Sequence, residues 1–256
     1  LDRWMVENGF AETGEKARAL IMAGDVFVDG VRADKARRPI SPGAHIEVRG
    51  RLRYVSRGGL KLEHALAHWS IDLTGLACVD IGASTGGFTD CMLQSCAATV
   101  LAVDTGYGQI AQKLRDDPRV TLRERTNARL LAPGELLKPG DPTPAFLAMD
   151  VSFISATLVL PAVVAALSTP EKSWQGEAVI LIKPQFEAGR ANVGKGGIVR
   201  DPEARKQAIE RVRECVASQD GQDIEIIDSP ILGMEGNHEY LLHARFNKNQ
   251  ERSTIH

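Results

Sequence analysis

From residue 58 onward, short runs, most of them near-continuously apolar, alternate with amphipathic stretches of helical period, and that alternation leaves the chain few folds to choose from. The runs are 76-LACVDIG-82, 99-TVLAVD-104, 120-VTLRER-125, 144-PAFLAMD-150, 178-AVILIK-183, 224-IEIID-228 and 239-EYLLHARF-246. Amphipathic segments near 59–69, 86–95, 107–116, 153–167 and 202–217 fall before or between them. Near-continuous apolar strands are buried on both faces, and strands separated by helices run parallel. The expected fold is therefore α/β: a doubly wound, mostly parallel, seven-stranded Rossmann-like sheet.

Residues 1–57 follow a different pattern. Leu1, Trp4 and Met5 share a helical face, and Ala17, Leu20 and Ile21 repeat it, with Thr13 placed as N-cap and Gly24 as C-terminal stop. In 26-VFVDGVRA-33 an Asp-Gly turn joins two β-rich flanks, and Pro42-Gly43 makes a second turn before 45-HIEV-48. The expectation is a small α+β module closed by the basic run 49-RGRLRYVSR-57. The organisation read from these signals is 1–57 for that module and its linker, 58–247 for the doubly wound domain and 248–256 for a tail.

In such a sheet, ligands sit beyond the carboxyl ends of the strands, so those ends carry the chemistry. The first run ends in 80-DIGASTGGFTD-90, an acid followed by a glycine-rich turn that opens a helix. It is not a GxGxxG fingerprint, and no Gly-Lys-Ser/Thr follows to make a P-loop. The second ends in Asp104, where a carboxylate can accept hydrogen bonds from ribose hydroxyls. An Asp-x-Gly turn at the first strand and an acid at the second is the usual layout for S-adenosylmethionine. The fourth run ends in Asp150 and the fifth in Lys183, after which Pro184 stops regular pairing.

A free lysine titrates at about 10.4 and is a poor base at neutral pH, but burial and a second cation depress such an amine. Lys61 in 56-SRGGLKL-62 is the candidate second cation, and Glu239 in 234-MEGNHEY-240 the candidate anchor. Taken singly, each is equally readable as a solvent-exposed ion pair worth under about 1 kcal/mol.

Bulk composition narrows the rest. Net charge is −2, yet residues 1–57 hold 11 Lys/Arg against 8 Asp/Glu, and 32–57 hold 8 against 2. That local surplus suits phosphates, and equally a solvated basic face. Four cysteines without a CxxC pair fit free thiols in a reducing cytosol, so a cytoplasmic protein is expected. His64 and His68 lack the glutamate of a zinc-protease helix, and no metal is expected. The longest apolar stretch, 158-LVLPAVVAAL-167, is about half a membrane span and contains a proline, so no membrane partner is expected either. No signal peptide is evident, and the lack of an initial Met is expected to reflect a few missing first residues.

Lys61, Asp150, Lys183 and Glu239 together resemble the Lys-Asp-Lys-Glu tetrad of FtsJ-like RNA 2′-O-methyltransferases. The strings SRGGLKL, DIGASTGGFTD, MDVSFIS, LIKPQFE and EGNHEYLL are closer still to the haemolysin A-type (TlyA) ribosomal-RNA methyltransferases, and the N-terminal module is similar to that family's S-four-like RNA-binding domain. The resemblance implies S-adenosylmethionine lined by Asp80, Gly82, Ser84, Gly86 and Gly87, with Asp104 on its ribose and Asn127 near its adenine. It implies Lys183 as general base for a ribose 2′-hydroxyl, of a cytidine in ribosomal RNA, with Asp150 and Lys61 orienting and tuning it and Glu239 holding the constellation. Arg3, Lys16, Arg18, Arg37, Arg38, Arg51, Arg53 and Arg57 are the RNA contacts it implies, with ribosomal subunits as partners. The glycine-rich 188-AGRANVGKGGIVR-200 reads as a mobile loop closing over substrate. The alternatives are a non-catalytic ribosome assembly factor that keeps the fold, or a membrane-active haemolysin, for which no spanning or basic amphipathic helix is evident.

Overall fold

The computed structural model describes residues 1–247 except 12, 34, 42, 49–52, 139, 234 and 235. Arg51 and its neighbours in the basic run, Pro42 of the second expected turn, and the 248–256 tail lie outside the described residues. The chain divides into two compact units, residues 1–53 and 54–256.

The first unit begins with α1 (Asp2–Glu7) and α2 (Gly14–Ala23). Thr13 Oγ1 accepts the Lys16 N–H at 3.2 Å, and Gly24 takes the left-handed conformation at φ 78°, so α2 is capped at both ends by the residue types such positions favour. Asp29 and Gly30 both have positive φ, and this turn folds β1 (Val26–Val28) back on β2 (Val31–Arg32). β3 (Ile46–Val48) pairs antiparallel on the other side of β1. Met5, Ala17, Ile21, Val26 and Val28 form the buried centre of this unit.

The second unit opens with α3 (Gly58–His68), β4 (Ala77–Ile81), α4 (Gly87–Gln94), β5 (Thr99–Val103), α5 (Gln112–Arg115) and β6 (Val120–Arg123). It continues with β7 (Phe146–Met149), α6 (Ala156–Ala166), β8 (Gly176–Ile182), α7 (Pro184–Glu187), α8 (Pro202–Ser218), β9 (Gly221–Asp228) and β10 (Tyr240–Phe246). The strands form one seven-stranded sheet in the order β6-β5-β4-β7-β8-β10-β9. Strands β6 to β8 are parallel; β10 runs antiparallel to both β8 and β9. Core residues pack on both faces of the sheet, with Leu147, Met149 and Ile180 on one side and Phe146, Ala148 and Val179 on the other. This is the doubly wound architecture expected from the near-continuous apolar runs of the central strands.

Two departures from the sequence reading have local causes. Only 112–115 of the segment 107–116 is helical. Gly108 takes φ 70°, and the Glu124 carboxylate accepts the Gly108 N–H at 2.7 Å while holding Arg115 at 2.6 Å, which keeps the preceding residues in an irregular turn. Helix α6 starts at Ala156 rather than 153, because Ser155 caps it and Phe153 sits at φ 64°. Pro161 lies inside α6 and cannot bond to the Thr157 carbonyl; Cys215 Sγ lies 3.7 Å from that carbonyl and takes the place of the missing donor.

Phe146 is fully buried at the start of the central strand β7, between partners on β4 and β8. Phe146→Ala should lower stability by about 3–5 kcal/mol in urea denaturation. A loss under about 1 kcal/mol would show that the side chain does not fill the core as described.

Candidate active site

The strand order reverses between β4 and β7, and the site grows from that point. Gly82 follows β4 at φ 86°, and a Cβ there would lie 2.3 Å from the Asp150 carbonyl oxygen. Only glycine lets the β4 turn pass so close to the end of β7. Asp150 N–H donates to the Ile81 carbonyl, and Gly82 N–H to that of Val103, both at 2.9 Å. Asp104 ties the next turn in: its carboxylate accepts Ser84 N–H at 2.8 Å and Gly106 N–H at 2.6 Å. The carboxyl ends of β4, β5 and β7 are thus joined by hydrogen bonds.

Two cavities open there. One, of about 480 Å³, is lined by Gly82, Ser84, Asp104, Gln109, Asn127 and Asp150 among others. The other, of about 320 Å³, is lined by Arg57, Lys61, Gly87, Lys183, Leu232 and Glu239 among others. They share Gly82, Ser84, Asp150 and Ser152, so each opens against the same four residues.

The four charged residues of the expected tetrad all face the smaller cavity, as two ion pairs. Lys61, on the buried face of α3 and 8% exposed, places Nζ 2.5 Å from Glu239 Oε2. Glu239 reaches it because β10 is antiparallel: Tyr240 pairs with Ile182, so the start of β10 lies beside the end of β8. Lys183 Nζ lies 2.5 Å from Asp150 Oδ1 and donates to Ser152 Oγ at 2.6 Å. Its aligned hydrogen bond goes to the serine, which leaves Asp150 Oδ1 buried with an open acceptor direction. Both amines are therefore fixed by carboxylates held at sheet ends.

The remaining expected residues divide. Gly82 and Ser84 line both cavities; Asp104 and Asn127 line the larger. Gly87 faces the smaller one, where a Cβ would lie 2.3 Å from Ser56 Oγ. Gly86 reaches neither; it turns the chain at φ 95° with Leu114 behind it. Asp80 is also set back, fully buried, accepting from Thr89 Oγ1 at 2.6 Å with Oδ1 unpartnered. Burial pushes the Asp80 carboxyl up to about 7; the Thr89 hydrogen bond opposes this and the negative charges of Asp150 and Asp104 add to it.

Of the basic residues, Arg57 lines the smaller cavity. Arg3, Lys16, Arg18, Arg37 and Arg53 are exposed and Arg38 is half-buried. The 188–200 loop is fastened at one end: Asn237 donates to the Gly197 carbonyl at 2.9 Å and accepts the Val199 N–H at 3.1 Å.

Sequence reasoning missed Ser152, two residues after Asp150 and in contact with Lys183. It also missed Ser56 and Gly58, placed in the cavity wall because Val55 N–H is bound at 2.8 Å by Asp90 of α4. A short polar residue after a strand-end acid was the only available signal for the first; nothing in the sequence signalled the second.

Residues 54–246 match the FtsJ-like methyltransferase family and residues 1–46 match the S4 domain. Hemolysin A of Brachyspira hyodysenteriae is 42% identical over 247 residues, covering 95% of this chain and 98% of that protein. The 16S/23S rRNA (cytidine-2′-O)-methyltransferase TlyA of Mycobacterium tuberculosis is 40% identical, covering 96% of this chain and 89% of that protein. A solved structure from Streptococcus thermophilus, described as a hemolysin candidate, superposes with TM-score 0.74 at 40% identity, covering 99% of this chain and 90% of that one.

Asp80 supplies a pH test. Its folded-state value of about 7 lies above the ~3.9 of an unfolded aspartate, so between those pH values the folded chain holds the extra proton. Stability then falls as pH rises through that window, and the cost is complete above about 7. Asp80→Asn keeps an acceptor for Thr89 and removes the charge. Its stability relative to the parent should therefore rise from pH 5 to pH 8 in denaturant titrations; parallel curves would show a carboxylate ionised throughout.

Proposed function

Because this chain belongs to the FtsJ-like methyltransferase family and carries an S4 domain, we propose that it transfers a methyl group from S-adenosylmethionine to a cytidine ribose 2′-hydroxyl in ribosomal RNA. The observation that carries the proposal is the junction of the two cavities. Lys183 faces the smaller one, and its partners Asp150 and Ser152 face both. A donor in one and an acceptor in the other would meet beside that amine.

The larger cavity suits the cofactor. Its volume lies in the range of small-molecule sites. The absence of a side chain at Gly82 leaves room for close approach, and Asp104, with two backbone donors already bound, keeps lone pairs for a ribose. Asn127 lines the same wall and would stand near the adenine. When bound, S-adenosylmethionine supplies a methyl that is already electrophilic.

The protein's work is then alignment and proton removal. Lys183 takes the proton from the 2′-hydroxyl. Asp150 and Ser152 hold its amine in one position, and the Lys61–Glu239 pair fixes the part of the same cavity wall beside it. The 2′-hydroxyl is the group that separates RNA from DNA, and as nucleophile it makes the choice absolute. The S4 domain and the basic side chains Arg3, Lys16, Arg18, Arg37, Arg38, Arg53 and Arg57 would position the RNA through phosphates. Ribosomal subunits are the partners this implies. The relatives' names, rRNA (cytidine-2′-O)-methyltransferase among them, support the same substrate.

Lys183→Ala should lower methyl transfer to ribosomal RNA by about 10²-fold or more, the range of general-base loss, while calorimetric cofactor affinity stays within about threefold. Near-parental turnover would remove Lys183 from the mechanism. RNA affinity should also fall steeply on a logarithmic salt axis, with a slope reduced by about one per phosphate-binding cation removed from the S4 domain. A flat dependence would exclude phosphate contacts as the positioning force.

A further inference from the structure

Glu187 ends α7, four residues beyond Lys183, and is buried at 6% exposure. Its side chain turns away from solvent onto the loop that follows β7. Oε2 accepts from Ser155 Oγ at 2.5 Å, and Oε1 accepts the Ala156 N–H at 2.7 Å. Its own carbonyl accepts from Arg211 of α8 at 2.6 Å, which fixes the backbone that carries the carboxylate.

The same two segments are joined at their other ends by Lys183, through Asp150 and Ser152. Between the two junctions the rings of Phe153 and Phe186 lie 5.5 Å apart. Residues 150–156 and 183–187 therefore run side by side, cross-linked at both ends. The loop needs that support, because Phe153 holds φ 64°, a conformation a bulky residue keeps only when its surroundings impose it.

Capping accounts for only one of its two oxygens: Oε1 takes the Ala156 N–H at the start of α6, whereas Oε2 accepts from the Ser155 hydroxyl. Ser155 already caps α6 with its own hydroxyl, which accepts the Thr157 N–H at 3.1 Å. Burying a further acid there costs solvation, and burial does raise the Glu187 carboxyl above the usual range. What the residue adds is a fixed spacing between the loop carrying Asp150 and Ser152 and the strand end carrying Lys183.

We propose that Glu187 is a positioning residue for methyl transfer: it locks the β7–α6 loop to α7, and so holds Asp150 and Ser152 in register with the Lys183 amine. The proposal rests on Lys183 being the general base. Glu187 lines neither cavity, and its hydrogen bonds go to Ser155, Ala156 and Arg211, so the effect is one of geometry at the amine.

The test uses the full chain, S-adenosylmethionine with a labelled methyl, and isolated small and large ribosomal subunits. Glu187→Ala should lower kcat at least tenfold, with the KM for the methyl donor within threefold and a single cooperative melt retained. Glu187→Gln should recover most of that kcat, since the amide keeps an acceptor for Ala156 N–H and the Ser155 hydroxyl can reverse its bond. Ser155→Ala, a milder change from the other side, should lower kcat in the same direction and serves as the test if Glu187→Ala does not fold. Parental kcat in a folded Glu187→Ala, or in Ser155→Ala, would overturn the proposal, as would a Glu187→Gln as impaired as Glu187→Ala. Lys183→Ala run alongside separates the two readings. If it is active, the base assignment fails; if it is inactive while Glu187→Ala is fully active, only the positioning role fails.

Discussion

The approach of two backbones at Gly82 is the constraint on which the site depends. With the Asp150 carbonyl occupying the space where a Cβ would stand, the β4 turn and the end of β7 become one surface. Strands β4 and β7 are hydrogen-bonded neighbours, and the chain reaches them from opposite halves of the sheet. A larger residue at position 82 would push them apart and lower the floor that the two cavities share. Two charged groups of the site are placed relative to that floor: Asp104 by its bonds to the turns after β4 and β5, and Asp150 by its place at the end of β7.

The antiparallel β10 solves a separate problem. A parallel strand delivers only its last residues to the carboxyl edge of a sheet, so a seventh parallel strand would have put Glu239 at the far side. Reversing it brings the start of β10 next to the end of β8, and the buried Lys61–Glu239 pair closes the cavity wall beside Lys183. The close backbone approach at Gly82 and the reversed strand are independent features of the sheet, and the site needs both.

Much of this was legible in the sequence, for reasons that differ by residue. The central strands β4, β7 and β8 were readable because a strand buried on both faces must be apolar nearly throughout, whereas the edge strands β6 and β9 carry charges and face solvent in part. Asp104, Asp150 and Lys183 were readable as charges interrupting such runs at strand ends, and the Asp29-Gly30 and Thr13 signals as residues suited to particular backbone angles. What stayed hidden depends on contacts distant in sequence. Nothing local to DIGASTGGFTD shows that Asp80 lies behind the cavity wall and Gly87 before it, since that depends on which way each faces after α4 packs on α3. The short α5 escaped for a similar reason: Glu124, from the next strand, organises the turn before it. Ser152 and Glu187 escaped because their partners, Lys183 and Ser155, lie about thirty residues away, on the other segment of each pair.

The arrangement of charge also bears on whether the site does chemistry or is merely inherited. Two lysine–carboxylate pairs are set into the second unit, one of them almost without solvent contact. Such pairs return little or no net stability, because desolvation offsets their attraction, and well-packed apolar replacements are commonly as stable or more so. A protein that only bound RNA and kept this fold as a scaffold would gain by replacing them. The cost makes sense where an amine must be held at a defined point beside the junction of two cavities, with its neighbours fixed. Lys183 meets that description and Lys61 does not. Lys61 is committed to a single carboxylate in the wall, whereas Lys183 is bound by the two residues that face both cavities.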